Sequence, residues 1–159
     1  MNIELVPATS AEDIAIVREL FREYAAGLSI DLCFQNFAEE LATLPGGYAP
    51  PRGRLLLAKV DGKIAGCIAL RPMEWETAEL KRLYVRPEFR RHGIGKALVA
   101  HVLEEARAIG YRTVRLDTLR EMHNAIALYT ASGFREVSPY RRGEPEGIRY
   151  FEMTFKEFT

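Results

Sequence analysis

Between Ala78 and Gly110 the chain reads AELKRLYVRPEFRRHGIGKALVAHVLEEARAIG, and this stretch narrows the available folds more than any other. Glu79–Val85 is an apolar-and-basic run that Arg86-Pro87 ends, because proline removes a ladder donor. After a short turn bearing Gly93 and Gly95, residues Ile94, Leu98, Val102, Ala106 and Ile109 recur at helical spacing. Gly110 stands where a helix C-terminal glycine belongs. Tyr111–Thr118 then alternates Val114, Leu116 and Thr118 against Arg115 and Asp117, which reads as a strand. Strand, helix, strand across 79–118 is a crossover unit, and a crossover of this kind joins parallel strands.

The flanking sequence supplies the rest of a sheet. Ile3–Val6 alternates as a short strand ended by Pro7. Ser10 is a natural N-cap with Asp13 three residues on, and Ile14, Val17, Leu20, Phe21, Tyr24 and Leu28 mark an amphipathic helix over 11–28. Phe34, Phe37, Leu41 and Leu44 mark a shorter helix, stopped by Pro45-Gly46-Gly47, and Tyr48–Gly53 is a loop. Arg54–Val60 and Lys63–Leu70 flank Asp61-Gly62, a dipeptide suited to a type I′ hairpin turn. Arg71–Thr77, with the only tryptophan, Trp75, reads as a loop. A helix over Glu121–Ala131, a strand from Phe134, a loop over Ser138–Gly147 and a strand over Ile148–Phe155 complete the chain. With 159 residues, no repeat and no linker, residues 1–159 are read as a single domain of α/β (mixed α+β) class: one mixed sheet with helices on its faces.

The turn before Ile94 has a chemical meaning. Amides at a helix N-terminus, reinforced by the macrodipole, favour an anion. Lys81, Arg82, Arg86, Arg90, Arg91 and Lys96 surround it against Glu79 and Glu88, while the whole chain has a net charge of zero. The local excess therefore points to a phosphate-bearing ligand. A pI near 6.8 and the lack of interleaved exposed aromatics argue against nucleic acid as partner. Cys33 and Cys67 form no C-x-x-C pair, and a reducing, cytoplasmic setting is expected. The start, MNIELVPATSAED, lacks signal-peptide character, and no apolar run approaches a membrane span. His92, His101 and His123 show no ligand spacing, so no metal is expected.

Two phosphate-binding motifs fail here. Leu98 stands where G-x-G-x-x-G needs its third glycine, and Arg90 and Ala97 break the Walker A pattern. What is present is Arg90-Arg91-His92-Gly93-Ile94-Gly95. This resembles the [Gln/Arg]-x-x-Gly-x-[Gly/Ala] signature of the GNAT superfamily of N-acetyltransferases, which bind acetyl-coenzyme A. The preceding LKRLYVRPEFR, the following ALVAHVLEEARAIGY and the later AIALYTASGF resemble the same family in the same order. The resemblance implies the acyl-CoA N-acyltransferase fold: a single, mostly antiparallel, twisted sheet with a central splayed parallel pair. It also implies transfer of an acetyl group from acetyl-CoA to a primary amine by direct attack in a ternary complex. A non-catalytic acyl-CoA sensor on the same fold is the alternative.

Carried over residue by residue, the resemblance places the pyrophosphate at Arg90, Arg91, His92, Gly93, Ile94, Gly95 and Lys96, and the pantetheine arm along Leu83, Tyr84 and Val85. Gly93 and Gly95, lacking Cβ, would admit the pyrophosphate close to the backbone. Tyr129 falls where many members carry a tyrosine near the cofactor sulfur, and its phenol can donate a proton at neutral pH. Glu79 is the leading base, directly or through a water, with burial expected to raise its pKa. His123 and Glu74 are weaker substitutes, and water alone suffices for an acceptor of low pKa. The N–H of Val85 is the expected oxyanion donor. Cys67 reads as a core residue. Seven residues before Tyr129, where many members carry Asn, this chain has Met122, so that contact is not carried over. The acceptor, expected to be a small-molecule amine, would sit among Leu28–Phe37, Arg71–Thr77 and Ser138–Gly147. Arg71, Arg120, Arg141 and Arg142 suit a carboxylate on it, whereas a cluster of Phe34, Phe37, Tyr48 and Trp75 would suit an apolar amine. A homodimer is compatible with the resemblance, with the C-terminal strand and its preceding loop as the expected interface.

Overall fold

The computed structural model describes residues 1–32 and 36–156; Cys33 and Phe34 lie outside the described residues. Among these, the strands are β1 (Ile3–Pro7), β2 (Arg54–Val60), β3 (Lys63–Glu74), β4 (Thr77–Val85), β5 (Thr113–Leu119), β6 (Arg135–Val137) and β7 (Ile148–Thr154). The helices are α1 (Ala11–Ala26), α2 (Phe37–Thr43), α3 (Ile94–Ile109) and α4 (His123–Ala131). The strands form one sheet in the order β1-β2-β3-β4-β5-β7-β6. Its pairs are antiparallel except β4–β5, which is parallel. The expected mixed, mostly antiparallel sheet with a central parallel pair is therefore present.

Strand alternation divides the core between two faces. Leu55 and Leu57 of β2, with Cys67 and Ala69 of β3, meet Ile14, Val17, Leu20 and Phe21 of α1. Leu56, Ile68 and Leu70 point the other way and join Leu80, Leu116 and the buried face of α3, from Ile94 to Ala106. Phe37 and Leu41 of α2 pack with the α1 layer, and Tyr129 of α4 with the α3 layer. Ser10 caps α1 by accepting from the Asp13 amide at 3.0 Å. Asp61 and Gly62 both have positive φ, 50° and 81°, as a type I′ turn demands.

Three elements depart from the sequence reading. Arg71–Thr77 is not a loop: β3 runs to Glu74 and β4 begins at Thr77. Arg71 pairs across the hairpin with Glu79, and their ion pair holds this extension in register. Trp75 is left at the turn, 83% exposed. The C-terminal strand β7 lies between β5 and β6, and β6 pairs with it only over Tyr150, Phe151 and Glu152.

The feature that positions the site is the end of the β4–β5 ladder. The two strands pair only at Thr77↔Thr113, Ala78↔Val114 and Glu79↔Arg115. Beyond that point β4 carries a bulge in which Arg82 and Leu83 together oppose Ile68 of β3. Arg82 adopts φ 61°. A bulge bends its strand and shifts the alternation by one residue. Glu79 and Lys81 before it, and Tyr84 after it, therefore share the α1 side, while Leu83 and Val85 pack toward α3. Gly66 of β3 makes the close approach possible, since a Cβ there would fall 2.3 Å from the Tyr84 carbonyl oxygen.

Candidate active site

Where β4 and β5 part, a cleft opens between Leu80–Leu83 and Asp117–Leu119. Tyr24, Leu28, Ile30 and Leu32 wall it on the α1 side, and Met122, Tyr129 and Ile148 on the other. Because α1 and α4 lie on opposite faces of the sheet, the cleft runs through it. Backbone groups on the facing edges of the two strands lose their mutual partners there, which suits an extended arm that supplies amides of its own.

At one end of this cleft stands the turn into α3. Arg91 and Gly93 are left-handed, with φ 69° and 77°, a backbone arrangement that directs successive N–H groups into one concavity. The first bond within the helix runs from the Ala97 N–H to the Gly93 carbonyl at 3.0 Å. The amides of Ile94, Gly95 and Lys96 therefore lack an intrahelical acceptor. Gly93 needs its freedom for φ. Gly95 needs its small size, since a Cβ there would meet Leu128 at 3.4 Å and Val85 at 3.9 Å. The Ile94 side chain is 1% exposed and belongs to the core, so this residue can offer the ligand only its amide.

The basic residues divide into two groups that sequence alone had merged. Arg90, Arg91, His92 and Lys96 are exposed at the turn, and Arg90 Nε also donates to the Val85 carbonyl at 2.9 Å. Arg86 is held bidentate by Glu23 at 3.1 and 2.8 Å, and Glu23 also accepts from the Tyr84 hydroxyl. Lys81 and Arg82 are buried at 5% and 4% exposure and do not flank the turn. Arg82 donates twice to Glu40 of α2 at 2.9 and 2.8 Å.

Glu79 occupies the last paired position before the cleft and is fully buried. One oxygen accepts from Arg71 at 3.0 and 2.8 Å and from Arg141 at 2.7 Å; the other accepts from the Tyr140 hydroxyl at 3.2 Å. Arg141 also bonds Asp117 of β5 at 2.9 Å. Burial raises the Glu79 pKa, but the Arg141 hydrogen bond and the charges of Lys81, Arg141 and Arg71 outweigh it and bring it down to about 2. The expected upward shift is thus reversed. A carboxylate so fully engaged is a poor proton acceptor at neutral pH.

Tyr129 is buried, packs edge-on against Phe134 with ring centroids 5.8 Å apart, and lines the cleft. Burial pushes its pKa up, so the phenol keeps its proton. Met122 takes a place in the cleft wall and accepts a weak bond from Thr118 at 3.5 Å. Cys67 is buried and its thiol donates to the Arg82 carbonyl at 3.5 Å; burial pushes its pKa up, as befits a core thiol.

The two acceptor expectations fare differently. Arg71 and Arg141 are engaged by Glu79, and Arg120 and Arg142 are exposed. Of the aromatic cluster, Trp75 stands apart, stacked with Arg52 at the hairpin turn, Phe37 and Tyr48 share the α1-side core, and Phe34 is outside the described residues. The substitutes for the base are remote as well. Glu74 pairs with Arg115 at 3.3 Å and His123 is exposed at the start of α4. Sequence reasoning missed Lys81 and Asp117 as cleft residues; the alternation of β4 and β5 about their last paired residues was the available signal.

No helix among the described residues is long and apolar enough to cross a membrane, and none of their His, Cys, Asp and Glu groups could hold a metal ion. Residues 15–134 match the model of the acetyltransferase (GNAT) family. The chain is 34% identical over 154 residues to an uncharacterised N-acetyltransferase of Schizosaccharomyces pombe, covering 96% of this chain and 94% of that one. An uncharacterised N-acetyltransferase of Dictyostelium discoideum is 30% identical, with 88% and 92% covered. Among solved structures, the PaiA N-acetyltransferase of Thermoplasma acidophilum in complex with coenzyme A superposes with a TM-score of 0.75 at 23% identity, covering 98% of this chain and 100% of that one. The fold, the glycine turn at the open end of the β4–β5 cleft and these likenesses lead to one conclusion: the chain belongs to the GNAT family of acetyltransferases.

Proposed function

We propose that this protein acetylates a primary amine on a small molecule, using acetyl-CoA as donor. The observation that carries this reading is the cleft through the sheet, with a phosphate-suited helix N-terminus at one end and a buried, protonated Tyr129 in its wall. The residues present suit the donor: amides of Ile94–Lys96 and the charges of Arg90, Arg91 and Lys96 for the pyrophosphate, and the edge of Leu83–Val85 for the pantetheine amides. Acetyl-CoA, when bound, supplies an activated thioester carbonyl.

The chain's own groups do the rest. The Val85 N–H is positioned on the strand to donate to the carbonyl oxygen as it gains charge. Tyr129 gives its proton to the departing sulfur and is restored by the acceptor's own N–H proton. Glu79 serves as an anchor, fixing Arg71 and Arg141 and through them the 138–147 loop. Leu28, Ile30, Leu32, Leu119, Met122 and Ile148 give apolar stretches to walls that also carry Lys81, Arg82 and Asp117. With Arg71 and Arg141 already engaged by Glu79, an acceptor with an apolar body is favoured over one recognised by that pair of arginines.

The test is thiol release from acetyl-CoA against a panel of alkyl, aromatic and amino-acid amines, run beside Tyr129→Phe. Turnover on apolar amines, reduced about 10²-fold or more in the variant, supports the assignment. Undiminished turnover in the variant removes Tyr129 as the acid. Tight acetyl-CoA binding without release on any amine would replace the enzyme by a sensor.

A further inference from the structure

The locked state of Glu79 leaves the acceptor's proton without a recipient, and the cleft contains another one. The geometry points to Lys81 as the catalytic base: its neutral ε-amine takes the proton from the acceptor's ammonium group. This inference rests on the acetyl-transfer reading above.

Lys81 is two residues past Glu79 on β4 and on the same face. It is the first α1-facing residue after the β4–β5 ladder ends, and it lines the same cleft as Tyr129. That position puts Lys81 in the wall of the through-sheet passage where donor and acceptor must meet. The alternation of β4 delivers it there, and the bulge that follows keeps Arg82 and Tyr84 on the same side.

The charges around Lys81 come from every neighbouring layer. Glu79 and Arg82 flank it on β4, Arg71 faces it from β3 and Asp117 from β5. Glu40 reaches the group from α2; Tyr24 of α1 and Tyr129 of α4 share its cleft. Arg141 and Tyr140 close the cluster through their bonds to Glu79 and Asp117. In this cluster four cations (Arg71, Lys81, Arg82, Arg141) meet three carboxylates (Glu40, Glu79, Asp117). Among these groups the cations outnumber the carboxylates by one in a buried place, and arginine does not lose its proton in proteins. Lysine is the member that can relieve the imbalance. Burial accordingly lowers the Lys81 pKa, against the pull of Glu79, to about 8, within reach of working pH.

The proton step balances simply. An N–H bond of the acceptor ammonium breaks and an N–H bond to Lys81 Nζ forms. The positive charge passes to Lys81, which returns to neutrality by releasing the proton to water. No oxidant, metal or further reactant is required.

The decisive measurement has two arms. In the first, the lysines are labelled by reductive ¹³C-methylation and their resonances titrated by NMR, the Lys81 signal being identified by its loss in Lys81→Met. A midpoint near 8 for Lys81, well below those of the remaining lysines, is expected; a midpoint among theirs overturns the proposal whatever the enzyme acetylates. In the second, acetyl-CoA turnover is followed against pH for wild type, Lys81→Met and Lys81→Arg, with 2-phenylethylamine and with hydroxylamine. Hydroxylamine is largely uncharged at neutral pH and needs no base. Both variants should lose about 10²-fold or more on the alkylamine, lose the rising limb of its pH profile, and keep turnover on hydroxylamine. Arginine preserves the charge, so undiminished alkylamine turnover in Lys81→Arg overturns the base while acetyl transfer stands. Equal loss on both nucleophiles overturns it too, in favour of a structural role. Failure of the wild type on both nucleophiles, with acetyl-CoA still bound, overturns the acetyl-transfer reading and the base with it.

Discussion

Lys81 and Glu79 share one strand face, and their pKa values are displaced downward for opposite reasons. Burial works against the charged form of Lys81, whereas for Glu79 hydrogen bonds and cations overcome burial. The consequences for stability have opposite meanings. The folded chain holds fewer protons at Lys81 than the unfolded chain does between pH 8 and 10.5, so stability rises with pH across that window. At pH 7 the full penalty is in place. Lys81→Met is therefore expected to be more stable than wild type by about 1–3 kcal/mol at pH 7, with the gap narrowing toward pH 10.5; urea unfolding at the two pH values measures it. Glu79 contributes stability that is present above its unfolded value of 4.5 and lost as pH falls toward about 2. Acid unfolding of Glu79→Gln should show a flatter dependence over that interval than wild type. The residues themselves are visible in the sequence as E-L-K-R, but not their environments. Which of four adjacent side chains meets an arginine depends on partners 8 to 62 positions away, such as Arg71 and Arg141.

At the scale of elements, the bulge in β4 and the turn into α3 set the site, and they differ in how far sequence reveals them. The turn is written in glycine: Gly93 at φ 77° is the kind of position that sequence motifs preserve. Gly93→Ala should cost about 1 kcal/mol in stability and weaken acetyl-CoA binding by calorimetry, with no effect on the Lys81 titration. The bulge carries no such mark. Arg82 takes up φ 61° without being glycine, at a cost of roughly 1–2 kcal/mol, and is held by Glu40 from a helix more than forty residues earlier. A period-two reading of 79–85 consequently puts the residues after Arg82 on the wrong face. The Glu79 cluster ties β3, β4, β5 and the 138–147 loop together. Glu79→Ala leaves Arg71 without its carboxylate and Arg141 with Asp117 alone, and a loss of about 3–5 kcal/mol is expected, measurable as a shift in the unfolding midpoint.

Seen as a whole molecule, the order of strands, helices and hairpins was legible because periodicity and turn chemistry are local. The extension of β3 and β4 through 71–77 was not, because the Arg71–Glu79 pair that holds the ladder there is tertiary. Donor binding should be felt across the full width of the sheet. Hydrogen exchange in the presence of acetyl-CoA is expected to slow at 94–96 and also along 80–85 and 116–119; protection confined to the turn would place the arm elsewhere. The reason lies in the short β4–β5 ladder. Three residue pairs are all the backbone ladder that joins β4 to β5; the Glu79 cluster on one face and the core under α3 on the other supply the rest of the link. In its backbone ladder the sheet is two panels joined by a short seam. Under tension the seam is where it would part first, and a donor lying along both edges would act as thread. Under the proposed reaction the donor would double as a structural member, present before transfer and gone after product release.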